Sequence, residues 1–500
     1  MSDLLLIRAD GGVSKGFGHV MRCLALAQGW QLSGGRAVFA LTESTPSLES
    51  KVRATGIEIV HLDVVPGSAE DAAQTVNLAI ERRAAWVVAD GYELGDDWQG
   101  AIKNSGLQLL LWDDYGHAGY YSADLILNQN LHATEEMYQR REPYTRLLLG
   151  ARYAQLRSEF LEWRDWKREI SPIARKVLVT MGGSDPENVT GEVVQALASL
   201  HDVEGVVVAG GSNPNIDQLR SAVAAQSNLQ LVVDAPNMPE LMAWADMAVS
   251  AGGSTCLELA FMGLPAVLVS IAANQEFAVG ALGRSGLSIA LAPEASGRQN
   301  RLTSAVRTLL STPREEQSAM SDGLRTLVDG RGTERVVRLL QALNVSLRRV
   351  SQGDCPLLWQ WANEPAVRSC SFSSDPIPWD DHTRWFESKR GNPECIWHIA
   401  CDARLRPLGQ VRIDLAEGKT GTMNFSVAPE CRGRGLGVSI LCAALDEVFT
   451  TTGVRVVRAF VKPGNTASVR SFERAGFKEI GTDPASPEQA LQFVFRAEDL

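Results

Sequence analysis

The chain has 500 residues, of which 45% are hydrophobic and 21% are charged, a composition typical of globular proteins. At roughly 150 residues per domain, this length predicts about three domains. The net charge of −11 argues against a surface that binds nucleic acid. No window approaches the roughly 18 consecutive apolar residues of a membrane span, and the first residues lack a signal-peptide pattern. We therefore expect a cytoplasmic protein without nucleic-acid or membrane partners.

Short apolar strand patterns alternate with helical patterns through the first two thirds of the chain. The strand-like segments are 86–90, 109–112, 176–180, 205–209, 247–250 and 266–269. This alternation predicts an α/β fold of parallel sheets with helices on both faces. We expect residues 1–155 and 156–344 to form two Rossmann-like halves. Because ligands of open parallel sheets bind at the carboxyl ends of the strands, we expect a site between the halves.

The first candidate site is a glycine turn that opens a helix near the start of the chain. The turn runs from Asp10 to Gly18 and His19, and Arg22 follows one helical turn later on roughly the same face. The positive helix end disfavours an imidazolium at His19, whereas a nearby diphosphate favours it. That balance allows a neutral imidazole that takes a proton from water. The alternative is that His19 only caps or packs the first turn.

The second candidate site is a glycine-rich turn in the middle of the chain. Gly253, Ser254 and Thr255 open a helix there, and backbone amides at a helix start favour bound phosphate. Glu258, one turn later, can accept hydrogen bonds from both hydroxyls of a ribose. Further residues that we assign to the same site are Gly182, Gly183, Ser184 and Gln275. We interpret this pattern as a nucleotide diphosphate site; the alternative is a set of tight strand-to-helix turns.

The pattern changes after residue 333, and we expect a third domain over residues 345–500. There Arg432-x-x-Gly435-x-Gly437 precedes an apolar stripe of helical period, which predicts a pyrophosphate site at the start of an amphipathic helix. The tryptophans of this region are Trp359, Trp361, Trp379, Trp385 and Trp397. For these we favour core packing over a platform for a sugar.

Residues 1 to about 340 resemble the UDP-sugar hydrolases of pseudaminic acid biosynthesis. The matching segments are 8–10, 16–22, 90–92, 113–114, 128–130, 149–160, 181–185 and 252–275. The resemblance implies a GT-B-like fold that binds uridine and diphosphate in its second half. It implies that His19 activates water, with Tyr92 and Asn274 as weaker candidates for positioning the sugar or the water. Gly11 and Gly12 depart from the family pattern, in which bulkier residues are expected.

Residues from about 345 to 490 resemble the GNAT N-acetyltransferases, which implies acetyl-CoA as cofactor. The positions assigned to that cofactor are Val427, Arg432, Gly433, Arg434, Gly435, Leu436, Gly437, Asn465, Ser468 and Phe472. Phe472 departs from many relatives, where a tyrosine protonates the departing thiolate. The candidates for the base that deprotonates the acceptor amine stay open: Asp414, Glu417, Asn424, Ser426 or a chain of waters.

Together the two resemblances imply a bifunctional enzyme of nucleotide-sugar metabolism. Its GNAT domain would acetylate the 4-amino group of a UDP-amino sugar. Its first part would then hydrolyse UDP-2,4-diacetamido-2,4,6-trideoxy-β-L-altropyranose to UDP and free sugar, without a metal. The alternatives are a GT-B glycosyltransferase, a hydrolase of a related nonulosonic acid pathway whose GNAT domain acts on another amine, and a binding module without catalysis.

Overall fold

The fold is taken from a computed structural model that describes residues 4–12, 15–183, 185–200, 202–211, 213–272, 275–292, 297–402, 404–483 and 489–500. The chain divides into two compact units, and the division falls between Glu334 and Arg335. This point lies about ten residues before the expected third domain, within a helix at Gly332–Ala342. The first unit contains two sheets and the second unit contains one.

The first sheet of the first unit has seven parallel strands. These are β1 (Leu4–Ala9), β2 (Arg36–Leu41), β3 (Glu58–His61), β4 (Ala84–Asp90), β5 (Leu109–Trp112), β6 (Leu125–Asn128) and β7 (Arg146–Leu149). Their order is β3-β2-β1-β4-β5-β6-β7, so the chain reverses direction across the sheet between β1 and β4. The helices of this half are α1 (Gly18–Leu32), α2 (Pro46–Ala54), α3 (Ala69–Arg82), α4 (Asp96–Asn104) and α5 (Ser158–Leu161).

The second sheet has six parallel strands and repeats this plan. They are β8 (Lys176–Thr180), β9 (Glu204–Ala209), β10 (Leu229–Val233), β11 (Met247–Ala251), β12 (Ala266–Val269) and β13 (Ser288–Leu291), in the order β10-β9-β8-β11-β12-β13. The helices are α6 (Val189–Ala198), α7 (Ile216–Ala224), α8 (Met238–Trp244), α9 (Thr255–Phe261), α10 (Glu276–Arg284), α11 (Arg298–Leu310) and α12 (Arg314–Leu327). The helix that contains the division, Gly332–Ala342, is α13.

The central strands of both sheets are buried along their whole length because helices cover both faces. All six residues of β1 and all five residues of β11 are buried. This is the pattern of a parallel sheet with two covered faces, and it explains why these strands appear in the sequence as continuous apolar runs. Polar residues are confined to the strand ends, and the candidate site therefore lies there.

The second unit is a mixed sheet of seven strands with helices on both faces. Its elements are β14 (Ser346–Arg349), α14 (Cys355–Asn363), α15 (Pro365–Cys370), α16 (Trp379–Arg390), β15 (Cys395–Cys401), β16 (Pro407–Ala416), β17 (Thr420–Val427), α17 (Leu436–Thr451), β18 (Val456–Val461), α18 (Thr466–Arg474), β19 (Lys478–Thr482) and β20 (Leu491–Arg496). The strand order is β14-β15-β16-β17-β18-β20-β19. One apolar cluster packs under α17, and a second packs under α14 and α16.

The two central strands of this sheet separate along their length. β17 and β18 are parallel and pair only over Thr420–Thr422 and Val456–Arg458. The rest of β17, residues 423–427, pairs with β16 but with no residue of β18 among those described. The strands therefore leave an opening beside the carboxyl end of β17, and the loop to α17 starts there.

Candidate functional site

His19 lies at the carboxyl edge of the first sheet, where the strand order reverses. It is the second residue of α1, and Asp90 is the last residue of the neighbouring β4. The Nδ1 atom of His19 lies 2.6 Å from Oδ1 of Asp90. An ionised carboxylate can only accept, so Nδ1 carries the hydrogen and Nε2 of a neutral ring keeps its lone pair. The side chain of His19 is 15% exposed at the edge of the sheet.

Asp90 is held ionised by a buried ion-pair network. Nε of Arg22 donates to Oδ2 of Asp90 at 2.6 Å, and Nη1 donates to Oδ1 of Asp114 at 2.8 Å. Burial alone would raise the pKa of Asp90, but the charges and hydrogen bonds of Arg22 and His19 outweigh it and hold that pKa well below the usual range. The pKa of Asp114 is lowered against burial by the same arginine. Arg22 therefore joins two strand ends and does not point freely toward a ligand.

Tyr92 extends this network toward the open side of the site. Its hydroxyl donates to Oδ2 of Asp114 at 2.7 Å, and its ring packs edge-on against His19 at 5.1 Å between centroids. Asn130 donates to Oδ1 of the same carboxylate at 2.8 Å. A phenol oxygen can both donate and accept, so Tyr92 is of a type that can help to orient a water molecule near the imidazole. Asp90, Asp114 and Asn130 are site residues that the sequence did not single out for a role.

Asp10 lies close by, but its oxygens already have partners. Oδ1 accepts from the backbone amide of Thr42 at 2.7 Å and from that of Glu43 at 3.1 Å, and it pairs with Arg8 at 2.8 Å. Burial opposes ionisation, yet Arg8 and the two amides hold the pKa of Asp10 below its usual value. These contacts fix the loop after β1, so the substrate-binding role of Asp10 stays a prediction.

The two glycines that depart from the family pattern are explained by crowding. A side chain at Gly11 would place its Cβ 2.6 Å from Cδ2 of Leu48, and one at Gly12 would place it 2.2 Å from Oε1 of Glu43. Gly12 and Gly16 also exchange backbone hydrogen bonds at 3.2 and 2.8 Å, which closes the turn before α1. Gly18 follows as the first residue of α1, with open space where a Cβ would stand.

The turn after β8 brings the second sheet to the start of α1. Gly182 and Gly183 form this turn, and a Cβ on Gly183 would lie 3.0 Å from the ring of Phe17, the residue before α1. Only glycine allows the backbone to approach this closely. The carboxyl edges of the two parallel sheets therefore face each other next to His19. Ser184 and Asn274, two predicted site residues, lie outside the described residues.

The second glycine turn is stabilised by Gln275. Oε1 of Gln275 accepts from the backbone amides of Gly252 and Ile271, each at 3.2 Å. This contact fixes the turn in which Gly253 lies and from which α9 begins, with Ser254 at its N-cap and Thr255 as its first residue. The side chain of Gln275 thus stabilises the turn, and its contact with substrate stays a prediction.

Glu258 is the acidic residue one turn into α9, and it is paired with Arg157. The Nη2 atom of Arg157 lies 3.2 Å from Oε1 of Glu258. Burial raises the pKa of Glu258, and Arg157 opposes that rise. The other carboxylate oxygen has no partner among the described residues. The contact of Glu258 with a ribose stays a prediction, and Arg157 was not assigned to this site because it lies 101 positions away along the chain.

The loop before α17 in the second unit has the geometry of an anion-binding turn. Gly433 and Gly435 have φ of 73° and 81°, a left-handed backbone that glycine adopts without strain. Arg434 is exposed, and Leu436 and Gly437 begin α17, a helix of 16 residues. The first amides of a helix have no partner within the helix, and here the helix begins directly after the exposed turn 432–435.

Arg432 already has partners within its own unit. Its Nη1 atom lies 2.8 Å from Oε2 of Glu364, the residue between α14 and α15. Its Nε atom donates to the backbone carbonyl of Val427 at 3.3 Å. The hydrogen bond and charge of Arg432 lower the pKa of Glu364. A diphosphate bound at this loop would compete with Glu364 for the guanidinium.

Three of the predicted cofactor residues lie in α18 or at its N-cap. The side chain of Asn465 caps the helix by accepting from the amide of Ser468 at 3.1 Å, and Ser468 is half-buried. Phe472 is 3% exposed, with ring centroids of Phe425 at 5.3 Å and Phe477 at 4.9 Å. An apolar pocket of this kind suits phenylalanine and offers a hydroxyl no partner.

The five tryptophans of the second unit differ in burial, and Trp359 is half-buried. Trp361 and Trp397 are 6% exposed and belong to the core, as expected. Trp379 and Trp385 are 43% and 38% exposed, which core packing does not explain. Among the base candidates, Asp414 pairs with Lys389 at 2.8 Å, which leaves it poorly placed to take a proton. Glu417 and Asn424 are exposed and Ser426 is half-buried.

Comparison with known proteins agrees with this division. Residues 177–327 match the family model of the glycosyltransferase family 28 C-terminal domain, and residues 344–478 match that of the acetyltransferase (GNAT) domain. The chain therefore combines a GT-B-like pair of Rossmann-type sheets with a GNAT domain, as the sequence predicted. The GNAT match also supports acetyl-CoA as the cofactor of the second unit.

Two curated relatives and one solved structure are informative. An uncharacterized protein of Methanocaldococcus jannaschii is 21% identical over 498 residues, which cover 95% of this chain and 96% of that protein. The UDP-2,4-diacetamido-2,4,6-trideoxy-beta-L-altropyranose hydrolase of Campylobacter jejuni is 24% identical over 287 residues, 57% of this chain and 98% of the hydrolase. The first unit is thus homologous to that hydrolase. MurG of Acinetobacter baumannii aligns with a TM-score of 0.48 and 18% identity, covering 68% of this chain and 99% of MurG.

Two further findings concern the part of the chain that the structure describes. No helix in it combines the length and the apolar character that crossing a membrane requires. No cluster of three or more His, Cys, Asp or Glu side chains in it is arranged to hold a metal ion.

Proposed function

We propose that the first unit hydrolyses a UDP-linked diacetamido sugar, releasing UDP and the free sugar. The observation that carries this proposal is the pair of His19 and Asp90, 2.6 Å apart, at the edge where the two parallel sheets meet. An imidazole oriented by a buried carboxylate is suited to take a proton from water. The homology to the Campylobacter jejuni hydrolase supports the choice of substrate.

In the proposed reaction, Nε2 of His19 removes a proton from a water molecule that Tyr92 helps to position. The water oxygen forms a bond to the anomeric carbon as the bond from that carbon to the diphosphate oxygen breaks. The electron pair leaves with UDP, and Asp90 stabilises the resulting imidazolium. The amides of Gly253 to Thr255, with Glu258 at the ribose, would hold the leaving nucleotide.

Replacement of His19 tests this assignment. We expect His19→Ala to lower the hydrolysis rate by about 10²- to 10⁴-fold, the usual contribution of a general base, while UDP binds nearly as well as before. The measurement is UDP release by chromatography, with UDP affinity by calorimetry. His61→Ala is the matched control, because His61 is 55% exposed and lies on the distant strand β3. If His19→Ala weakened UDP binding as much as it slowed hydrolysis, this residue would act in binding instead.

A glycosyltransferase is the second candidate, because residues 177–327 match a glycosyltransferase family model. UDP release is measured without an acceptor in water enriched in ¹⁸O, because only a hydrolase transfers the sugar to water. Attack by water at the anomeric carbon places the label on the sugar, and attack at phosphorus places it on UDP. If UDP appears only after an acceptor is added, the chain is a transferase.

We propose further that the second unit acetylates the amine of the sugar nucleotide from which the hydrolase substrate is made. Acetyl-CoA would place its diphosphate on the loop from Arg432 to Gly437 and its thioester in the opening beside β17. Acetyl-CoA would supply the acetyl group: the amide bond would form as the carbon–sulfur bond breaks, and the proton lost by the amine would pass to solvent as coenzyme A leaves as the thiolate. Incubation with acetyl-CoA and UDP-4-amino-4,6-dideoxy sugar should give the acetylated UDP-sugar first, followed by UDP.

Linking the two activities in one chain raises the local concentration of the intermediate. The expected signature is that a separate chain carrying His19→Ala, added in excess, lowers the coupled rate only in part. If the coupled rate fell in full proportion to the added chain, the intermediate would equilibrate with solvent.

A further inference from the structure

One face of the sheet in the second unit carries polar side chains that the proposed cofactor site does not use. Along β16 and β17, Gln410 is paired with Ser426 and Arg412 with Asn424, and directly opposed residues share a face. The intervening residues Val411, Ile413 and Met423 belong to the apolar cluster under α17. The polar row is therefore on the opposite face from α17.

Arg412 is the cation of this row, and α16 places an indole against it. The guanidinium carbon of Arg412 lies 5.0 Å from the ring centroid of Trp385. This Trp385 is one of the two exposed tryptophans, at 38%. Its ring also contacts the buried Trp397 at 5.2 Å, and Nε1 of Trp397 donates to Gln410 at 2.8 Å. The indole is thus held in place by the core and still presents part of its surface to solvent.

The two terminal nitrogens of Arg412 remain available. Its Nε atom donates to Oδ2 of Asp414 at 3.0 Å, and Asp414 also pairs with Lys389. Within the described part of the chain, Nη1 and Nη2 make no hydrogen bond to another residue, and the Arg412 side chain is 18% exposed. A stacked guanidinium whose terminal nitrogens make no hydrogen bond within the described chain matches the geometry in which arginine binds phosphate or carboxylate in two parallel hydrogen bonds.

The position of Arg412 relates this group to the acetyl-transfer opening. Its register partner Asn424 lies in the part of β17 that has left β18, one strand spacing of about 4.8 Å away. Arg412 therefore lies one strand away from the opening, on the polar face of the sheet. The local charges, Arg412 and Lys389 against Asp414, leave an excess of one positive charge, which favours an anionic acceptor over a polyamine.

We propose that Arg412 and Trp385 form the acceptor subsite of the second unit, where Arg412 binds phosphate oxygens of a nucleotide-sugar acceptor and Trp385 packs against one of its rings. This assignment rests on the proposed acetyl transfer to a UDP-amino sugar and names the residues that select the nucleotide. Trp385 has a matched control in Trp379, which is 43% exposed on the same helix but packs against Trp359 at 5.5 Å.

The first experiment measures acetyl transfer by the full chain to two acceptors. These are UDP-4-amino-4,6-dideoxy sugar and the same amino sugar without UDP. We expect Arg412→Gln to raise the KM for the UDP-linked acceptor by about 10- to 100-fold, with kcat changed far less and with no effect on the free sugar. Arg412→Lys should recover part of the loss. The charge-matched control Arg384→Gln, at a side chain 79% exposed and paired with Asp381 at 2.5 Å, should behave as the unmodified chain.

The second experiment does not depend on turnover. Hydrogen exchange is measured on peptides covering residues 407–427 with UDP-4-amino-4,6-dideoxy sugar added, which reports binding to this unit alone. Protection in the unmodified chain and in Trp379→Ala, lost in Arg412→Gln and weakened in Trp385→Ala, supports the proposal even if no acetyl group is transferred.

Other outcomes overturn it. Equal KM values for both acceptors, or a dependence on Arg412 only for a free L-amino acid, would show that this arginine does not select a nucleotide. Acetyl transfer to the UDP-sugar that is indifferent to Arg412→Gln would leave the proposed activity intact and remove only the subsite.

Discussion

The charged side chains of the two candidate sites differ in burial and in pairing. Around His19, the charged groups Arg22, Asp90 and Asp114 pair with one another and are less than 10% exposed. In the second unit, Arg432 is 35% exposed and held by one carboxylate, and Arg412 is 18% exposed and hydrogen-bonded to Asp414 through Nε. A base must be held in one orientation, whereas a diphosphate site must remain open to its ligand. The buried network fits the first need and the open arginines fit the second.

The largest difference in the free energy of unfolding should appear between a variant that loses a carboxylate from the buried network and one that loses a carboxylate from an exposed ion pair. Asp90→Ala leaves Arg22 and His19 without their shared counter-ion in a buried position, and breaking such a pair costs about 3–5 kcal/mol. Glu58→Ala removes an exposed ion pair with Arg82 at 2.9 Å and should cost at most about 1 kcal/mol. Urea unfolding of the first unit, with tryptophan fluorescence as the signal, gives both values. Similar losses for the two variants would mean that the network does not stabilise the fold.

The positions of the sheets were predictable from the sequence because their strands are continuous apolar runs, as in β4 and β11. The contact between His19 and Asp90 was not predictable, because the two residues lie 71 positions apart and nothing in either segment fixes their register. Asp90 ends a strand, and an acidic residue at that position is the signal that could have indicated a site. The same applies to Asp114, two residues after the end of the neighbouring strand β5.

Contacts that cross between elements account for the rest. Glu258 and Arg157 are 101 positions apart, and their pairing depends on where α5 passes α9. Helix spacing predicted α17, but spacing alone did not show that Asn465 caps α18 or that Phe472 is enclosed by other phenylalanines. The tryptophans show the limit of composition, since Trp385 and Trp397 are in contact yet differ sixfold in exposure, at 38% and 6%.

Acid should weaken the first unit more than the second. Asp90, Asp114, Asp113 and Asp10 have a pKa below that of an unfolded chain, so they stabilise the fold above about pH 4, and this contribution is lost as the pH falls through their folded values. In the second unit, the hydrogen bond from Arg348 lowers the pKa of Asp354 to about 2, and the other carboxylates with a lowered pKa, Glu364, Glu387, Asp402 and Asp414, are at least 23% exposed, so solvent screens their contribution. Hydrogen exchange between pH 6 and 3, corrected for the intrinsic rate, should lose protection first in peptides of the first unit.

The apolar setting of Phe472 gives a smaller effect of defined sign. Phe472→Tyr buries a hydroxyl among phenylalanine rings, and a buried hydroxyl without a partner costs about 1–3 kcal/mol. Phe449→Tyr, at a half-buried ring, should change the stability by less than about 0.5 kcal/mol. Thermal unfolding of the second unit checks both values. An unchanged stability with a raised kcat for acetyl transfer would show that the new hydroxyl reaches the departing thiolate.

The smallest expected effect concerns the contact between Arg432 and Glu364. Because a diphosphate competes with Glu364 for this guanidinium, Glu364→Gln should tighten acetyl-CoA binding by about 2- to 5-fold, the range of an exposed ion pair worth up to about 1 kcal/mol. Glu387→Gln, which removes an exposed pair with Arg390 at 3.1 Å, is the control and should leave the affinity unchanged. Added salt screens the pair with Glu364, so the gain should shrink as ionic strength rises. Weaker binding in Glu364→Gln would mean that this carboxylate orients Arg432 for the cofactor. The site before α17 would then resemble the ion-pair network around His19.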